Sequence, residues 1–284
     1  MVGRDAAARI RILAAWWLCF VCAPAVGAAT EIAVPYVPST EVAVEEMLRL
    51  AEVRASDVVM DLGSGDGRIV IAAARYFGAQ GIGIEIDPEL VETARRNAEQ
   101  AGVADRVRFI AQDVLKADVS KATVVTMYLL TPLIERLKPK LLAELKPGTR
   151  IVAHDFGFKD WLPDRQVTIS KTILLYIVPA QVAGRWRLTA DLRDGARTYE
   201  FELKQEYQRV SGGARVPGGY LPLFEAKLAG DRIRFAIVDD GRSYHFEGRA
   251  DSLVMSGTVR SGIGSALTER RWRAERVLPI AEGS

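Results

Sequence analysis

The 284-residue chain has little of what builds metal centres or covalent scaffolds: 2 cysteines and 2 histidines. A cysteine-rich zinc site, an iron–sulfur cluster or a disulfide framework is excluded by that stock. An excess of charge of one sign is also missing. Lys plus Arg number 38 against 36 Asp plus Glu, so no basic surface for coating nucleic acid is expected. Hydrophobic residues make up 49% and charged residues 26% of the chain. That composition excludes disorder as the main state. A mean hydropathy of only +0.06 excludes a multi-spanning membrane protein.

Long apolar runs are absent except at the start. Arg4, Arg9 and Arg11 precede Ile12–Thr30, which carries no charge and decays into small residues around Val26–Ala29. A positive start, an apolar stretch and a small-residue cleavage zone are the parts of a secretory signal. Left uncleaved, the same 19 residues would form an N-terminal anchor. Either form places the rest of the chain outside the cytoplasm, periplasmic, secreted or membrane-anchored. Both cysteines, Cys19 and Cys22, fall inside this leader. Residues 1–30, 31–180 and 181–284 are therefore read as leader, first domain and second domain. The first domain carries a net −3, while the leader carries +2 and the last segment +3.

Residues 31–180 alternate strand-like and helix-like runs. Asp57–Asp61, Gly81–Glu85, Val107–Ala111, Thr123–Leu129 and Arg150–Asp155 read as buried strands. Helices are expected from Val42 to Ala51 after a Pro38-Ser39-Thr40 entry, over Arg68–Phe77 and Pro88–Ala101, and from Lys138 to Leu145. Continuous Val/Ile runs between helices predict a mostly parallel sheet covered on both faces, an α/β, Rossmann-like fold. Ligands of such sheets bind beyond the carboxyl ends of the strands.

Those ends carry a pattern. The first strand runs into Asp61-x-Gly63-x-Gly65-x-Gly67, whose glycines let the backbone approach a ligand closely. Asp61 and Asp66 would repel a pyrophosphate and suit a cationic group, the amino-acid end of S-adenosylmethionine (SAM). Glu85 ends the second strand, where a carboxylate accepts ribose hydroxyls. Asp113 ends the third and suits an adenine amino group, with Val114 beside the ring. Each acid alone reads as a helix cap or a solvated strand end. Three strand ends in succession carry more weight.

Residues 36–178 resemble class I SAM-dependent methyltransferases. Tyr36–Thr40 (YVPST), Asp61–Val70 (DLGSGDGRIV), Gly83–Pro88 (GIEIDP) and Trp161–Pro163 (WLP) resemble the mitochondrial lysine methyltransferases of the ATP synthase c-subunit and the adenine nucleotide translocase, and their bacterial relatives. The resemblance implies a seven-stranded sheet, SAM as cofactor and a protein lysine as acceptor. It also implies that the Tyr36 segment closes over the cofactor, which adds Tyr36 and Pro38 to the expected site. Membrane proximity would follow from the leader. The leader and the long C-terminal extension depart from the mitochondrial enzymes.

Methyl transfer from a sulfonium needs positioning more than a nucleophilic side chain. The absence of cysteine after the leader argues against attack through a thiolate. The fourth strand ends in Met127–Pro132 (MYLLTP) and lacks the Asn/Asp-Pro-Pro-aromatic signature of base-amine methyltransferases. No nucleic-acid partner and no metal are expected. A lysine amine loses its proton more readily in an aromatic-lined channel, for which Tyr128, Tyr36, Phe156 and Trp161 are candidates. Tyr128 and Asp155 are taken as the catalytic pair, with Asp155 placed to hold an ammonium group. His154 reads as either structural or orienting. Two other readings fit: a small-molecule methyltransferase, and a catalytically idle extracytoplasmic protein whose β domain binds the ligand. SAM is made in the cytoplasm, so that location also stays open.

From Gly184 onward the pattern changes to short alternating strands, with turns at Asp194-Gly195, Gly212-Gly213, Gly218-Gly219, Gly230-Asp231, Asp240-Gly241 and Ser261-Gly262. This predicts a small antiparallel, barrel-like or lipocalin-like domain. Gly184-x-Trp186 in its first strand and Arg271-Trp272-Arg273 in its last suggest how such a barrel closes.

Overall fold

The computed structural model describes residues 37–192, 195–262, 264 and 267–278. The leader and Tyr36 lie outside the described residues. The described residues from Val37 onward form one compact unit.

The first sheet contains β1 (Val58–Leu62), β2 (Gln80–Glu85), β3 (Val107–Ala111), β4 (Val124–Met127), β5 (Arg150–His154), β6 (Arg165–Thr168) and β7 (Thr172–Ile177). Its order is β3-β2-β1-β4-β5-β7-β6. The five strands from β3 to β5 pair in parallel, while β7 runs antiparallel to both β5 and β6. The carboxyl ends of β1 to β5 therefore share one edge of the sheet. Strand order reverses at β1, which has β2 on one side and β4 on the other, and a crevice opens at such a switch point.

The helices start where local chemistry directs them. Thr40 caps α1 (Glu41–Leu50) by accepting from the Ala43 N–H. Asp87 caps α3 (Pro88–Gln100), with Pro88 in the first turn, where its missing N–H costs nothing. α2 (Arg68–Phe77) runs between left-handed Gly67 and Gly78. The last helix, α4 (Thr131–Glu144), begins seven residues before the expected Lys138. Pro132 opens it, and Pro139 lies inside it. The helix continues through that second proline, and Ile134, Leu137 and Leu141 bury a continuous apolar stripe.

The second sheet is all antiparallel, in the order β11-β10-β9-β8-β16-β15-β14-β13-β12. Its strands are β8 (Gly184–Leu192), β9 (Gly195–Glu206), β10 (Arg209–Val216), β11 (Gly219–Pro222), β12 (Phe224–Ala229), β13 (Arg232–Asp239), β14 (Arg242–Ala250), β15 (Val254–Ser261) and β16 (Thr268–Arg276). Its ends curl together, with Leu223 N–H donating to Gly212 O and Leu228 N–H to Gln208 O, so the sheet is nearly a closed barrel. Side chains fill its interior. Phe235 stacks on Phe246 at 4.8 Å, and both meet Trp272 edge-on. Trp186 is fully buried under the Arg276 guanidinium, whose three nitrogens donate to the carbonyls of Ser252, Ala183 and Gln181. The last strand thus locks onto the first through Arg276, beyond the expected Arg271 and Arg273.

Gly212-Gly213, expected as a turn, lies inside β10. A Cβ on Gly212 would stand 2.0 Å from Glu202 O, and one on Gly213 2.3 Å from Leu221 O. The glycines allow neighbouring backbones to approach; they do not reverse the chain.

The two sheets are joined by a buried connection. Ala180 and Val182 belong to the core of the second sheet, and Ala180 N–H donates to Gly230 O. Gln208 Nε2 donates to Ile177 O at 2.6 Å. Trp161, 1% exposed, stacks flat on Tyr207 from the β9–β10 turn at 4.8 Å. Trp161, a sequence candidate for lining a substrate channel, is instead a packing element between the sheets.

Candidate functional site

Asp61 is the fourth residue of β1 and sits opposite Thr126 of β4 in the sheet register. Thr126 Oγ1 donates to Asp61 Oδ1 at 2.7 Å. Asp61 is only 2% exposed. Burial raises its pKa from an ordinary 3.8 to about 7; the Thr126 bond opposes this, and the nearby negative charges of Glu85 and Asp66 add to it. Among the described residues, those that most affect an ionised Asp61 are the Thr126 hydroxyl and two further carboxylates, not a cation.

The chain after β1 folds back on β2. The N–H groups of Gly63 and Ser64 both donate to Ile84 O, at 2.8 and 3.0 Å. Gly65 N–H donates to Glu85 Oε2 at 2.8 Å, while Glu85 Oε1 accepts from the N–H groups of Ile86 and Asp87. Gly63, Gly65 and Gly67 all have positive φ, at +82°, +52° and +82°. Gly63 and Gly67 differ in what they face. A Cβ on Gly63 would meet Leu129 Cδ2 at 2.9 Å. At Gly67 a Cβ would strike Phe109 and Ala94, so packing of α3 and β3 explains that glycine. Asp66 turns to Arg68, whose Nη1 also donates to Ser39 O.

Asp113 follows β3 and accepts from Leu115 N–H at 2.9 Å, closing a tight turn. Val114 is buried in the core beside it. Pro38 is exposed next to Ser39, which is pinned across the sheet edge: Ser39 Oγ and His154 Nδ1 are hydrogen-bonded at 2.8 Å. Burial, followed by the charge of Lys171, lowers the pKa of His154, with Asp155 opposing. His154 Nε2 is buried with no hydrogen-bond partner among the described residues.

Tyr128 and Asp155 come together at the ends of β4 and β5. Tyr128 packs on His154 at 4.3 Å and stacks on Phe156 at 6.2 Å. Asp155 has φ +66°, and Phe156 N–H donates to His154 O across it. That is a γ-turn with a non-glycine residue in the strained half of the map. Between Tyr128 and Asp155 lies the ammonium of Lys171, 2.6 Å from Tyr128 Oη and 2.6 Å from Asp155 Oδ2. It also sits over the Tyr128 ring at 5.1 Å.

The structure thus brings Asp61, the glycine loop and Glu85 together at the ends of β1 and β2, with Gly65 N–H bonded to Glu85, and brings Tyr128 and Asp155 together around Lys171. Asp113 and Val114 stand at the neighbouring strand end. Four residues escape a reading of the sequence. Thr126 is hidden in an apolar strand, and only sheet register could single it out. Ser39 passes as a helix entry. Lys171 lies in a turn without a motif. Ile86 has a usable signal: it is a large hydrophobic residue, 64% exposed, directly after Glu85.

The mixed seven-stranded sheet, the glycine loop at its switch point and the acidic strand ends define a Rossmann-like methyltransferase. Residues 61–165 match the ANTKMT methyltransferase domain. The chain is 44% identical over 151 residues to a protein-lysine N-methyltransferase of Saccharolobus islandicus, covering 51% of this chain and 94% of that protein. The chain belongs to this methyltransferase family. It is 38% identical over 134 residues to the Xenopus laevis lysine N-methyltransferase of the ATP synthase c-subunit, covering 47% of this chain and 58% of that relative. A crystal structure described as an RNA methyltransferase from Salinibacter ruber, in complex with S-adenosyl-L-homocysteine, shares 52% identity at a TM-score of 0.51. That match covers 51% of this chain and 96% of the other.

Proposed function

We propose that the chain is a SAM-dependent methyltransferase that methylates protein lysine. The observation that carries the cofactor assignment is the buried Asp61 beside the glycine loop. A carboxyl group raised to about 7 and pressed by two further carboxylates calls for a cation, and the amino-acid end of SAM supplies an ammonium group. The residues present fit the cofactor. Asp61, with Gly63 and Gly65, takes the methionine part; Glu85 takes the ribose hydroxyls; Asp113, Val114 and the exposed Ile86 take the adenine. Pro38, and Tyr36 by family resemblance, cover the site. The pyrophosphate of a dinucleotide would meet repulsion from Asp61, Asp66 and Glu85.

Bound SAM supplies an electrophilic methyl group on a sulfonium. The chain's own residues position the acceptor. The Tyr128 hydroxyl and the Asp155 carboxylate bind and orient the acceptor's ammonium group, which releases its proton to solvent before the transfer. The strained turn at Asp155 and the rings around Tyr128 fix both groups in advance, which lowers the entropy lost on reaching the reactive geometry. Lysine as the acceptor is supported by the names of the Saccharolobus and Xenopus relatives. The Salinibacter protein's description favours RNA as a second reading, against which stands the near-neutral charge of this chain.

Calorimetry with SAM tests the site. Asp61→Ala and Glu85→Ala are expected to weaken binding at least tenfold; unchanged affinity in both would overturn the assignment. Export through the leader is proposed with this reading. An alkaline phosphatase fusion after residue 40 is expected to be active, and an inactive, stable fusion would place the enzyme in the cytoplasm.

A further inference from the structure

Lys171 has no place in the proposed reaction, yet it occupies the centre of the acceptor side of the site. Its ammonium bonds the Asp155 carboxylate and the Tyr128 hydroxyl, each at 2.6 Å, and lies over the Tyr128 ring. A carboxylate, a phenol and an aromatic face around one nitrogen form a complete receptor for a primary ammonium.

The two sides of this contact differ in stiffness. Asp155 is fixed by a γ-turn and by its N–H donating to Thr172 O, and Tyr128 is held between His154 and Phe156. Lys171 reaches them from the β6–β7 turn on a flexible four-carbon stem. Its side chain is 43% exposed and that of Asp155 29%, so solvent reaches the pair and the amine can leave without moving backbone. Such an exposed ion pair contributes little to folding. The bonds to Asp155 and Tyr128 also raise the pKa of Lys171, so it sits there charged.

We propose that Lys171 is a resident placeholder: its ammonium fills the subsite that receives the acceptor's primary ammonium, and acceptor binding begins by displacing it. The inference rests on the reading of this chain as an amine methyltransferase and deepens it by defining the acceptor subsite. A tethered competitor acts at a high effective concentration. The apparent affinity for an incoming amine is then reduced by the fraction of molecules in which Lys171 is in place, and an occupancy of about ninety per cent corresponds to about tenfold.

The test uses n-butylammonium as the probe and the full chain, followed by protein NMR shift titration. Lys171→Met and Lys171→Ala are expected to bind the probe about tenfold more tightly than the wild type. Lys171→Met combined with Asp155→Asn is expected to lose that gain. Equal affinity in the wild type and both single variants, or no binding by any of them, overturns the proposal. SAM calorimetry on the same proteins separates the two claims. Retained SAM binding with an unmoved probe affinity refutes only the placeholder, while absent SAM binding with a displaced placeholder refutes only the cofactor reading.

Discussion

Asp61→Asn removes a charge whose burial the fold tolerates at a cost. The raised pKa gives the magnitude. A rise from 3.8 to about 7 at ~1.4 kcal/mol per pH unit amounts to ~4 kcal/mol of destabilisation once the group is ionised. The folded state holds its proton more tightly than the unfolded chain, so between those two pKa values the native protein binds more protons and stability falls as pH rises. Above pH 7 the full penalty is present; below pH 4 it is gone. Asn keeps an acceptor for the Thr126 hydroxyl and never ionises. Without SAM, the variant is therefore expected to be more stable than the wild type by about 4 kcal/mol at pH 8 and by less than about 2 kcal/mol at pH 5. Urea denaturation of both proteins at the two pH values measures this. Equal stability at pH 8, or the same difference at both pH values, would refute the electrostatic account of Asp61. The same variant should fail to bind SAM, which makes the site a case of stability given up for function.

Wild-type SAM affinity should follow the same group: the dissociation constant measured by calorimetry should rise about tenfold per pH unit below pH 7 and level off above it. Thr126→Val preserves shape and removes the donor to Asp61, which should raise the carboxyl pKa further and weaken SAM binding at pH 7 about tenfold, since a hydrogen bond to a charged group contributes roughly 1.5–3 kcal/mol. Gly63→Ala places a Cβ at positive φ and 2.9 Å from Leu129, so a loss of about 1–3 kcal/mol in urea denaturation is expected together with weaker SAM binding. Trp161→Ala should cost about 3–5 kcal/mol and split thermal unfolding into two transitions, because the stacking on Tyr207 that couples the sheets is lost; a single unshifted transition would contradict that role.

Much of the fold was legible because period and punctuation agreed. The strands β1 to β5 are short, Val- or Ile-containing stretches between helical patterns, and β3 and α2 match their expected bounds residue for residue. The hairpin β6–β7 was legible only through family resemblance, since Arg165–Thr168 is short and mostly exposed. In the second sheet, Gly212-Gly213 misled because glycine marks both a turn and a close approach of strands, and only the partner strand distinguishes them. The candidate site followed the same rule. Asp61, Glu85 and Asp113 announce themselves at strand ends, where local sequence fixes position. Thr126 and Lys171 act across 65 and 16 residues of chain, on Asp61 and Asp155, and no local pattern encodes contacts of that range.

The central claim is that this chain moves a methyl group from SAM to protein lysine. Incubating the purified full chain with methyl-labelled SAM and a lysate of its source cells tests it most directly. The account predicts label that survives nuclease, is released by protease and appears as methyllysine after acid hydrolysis. Label that is released by nuclease, or that is extracted with small metabolites, would contradict it.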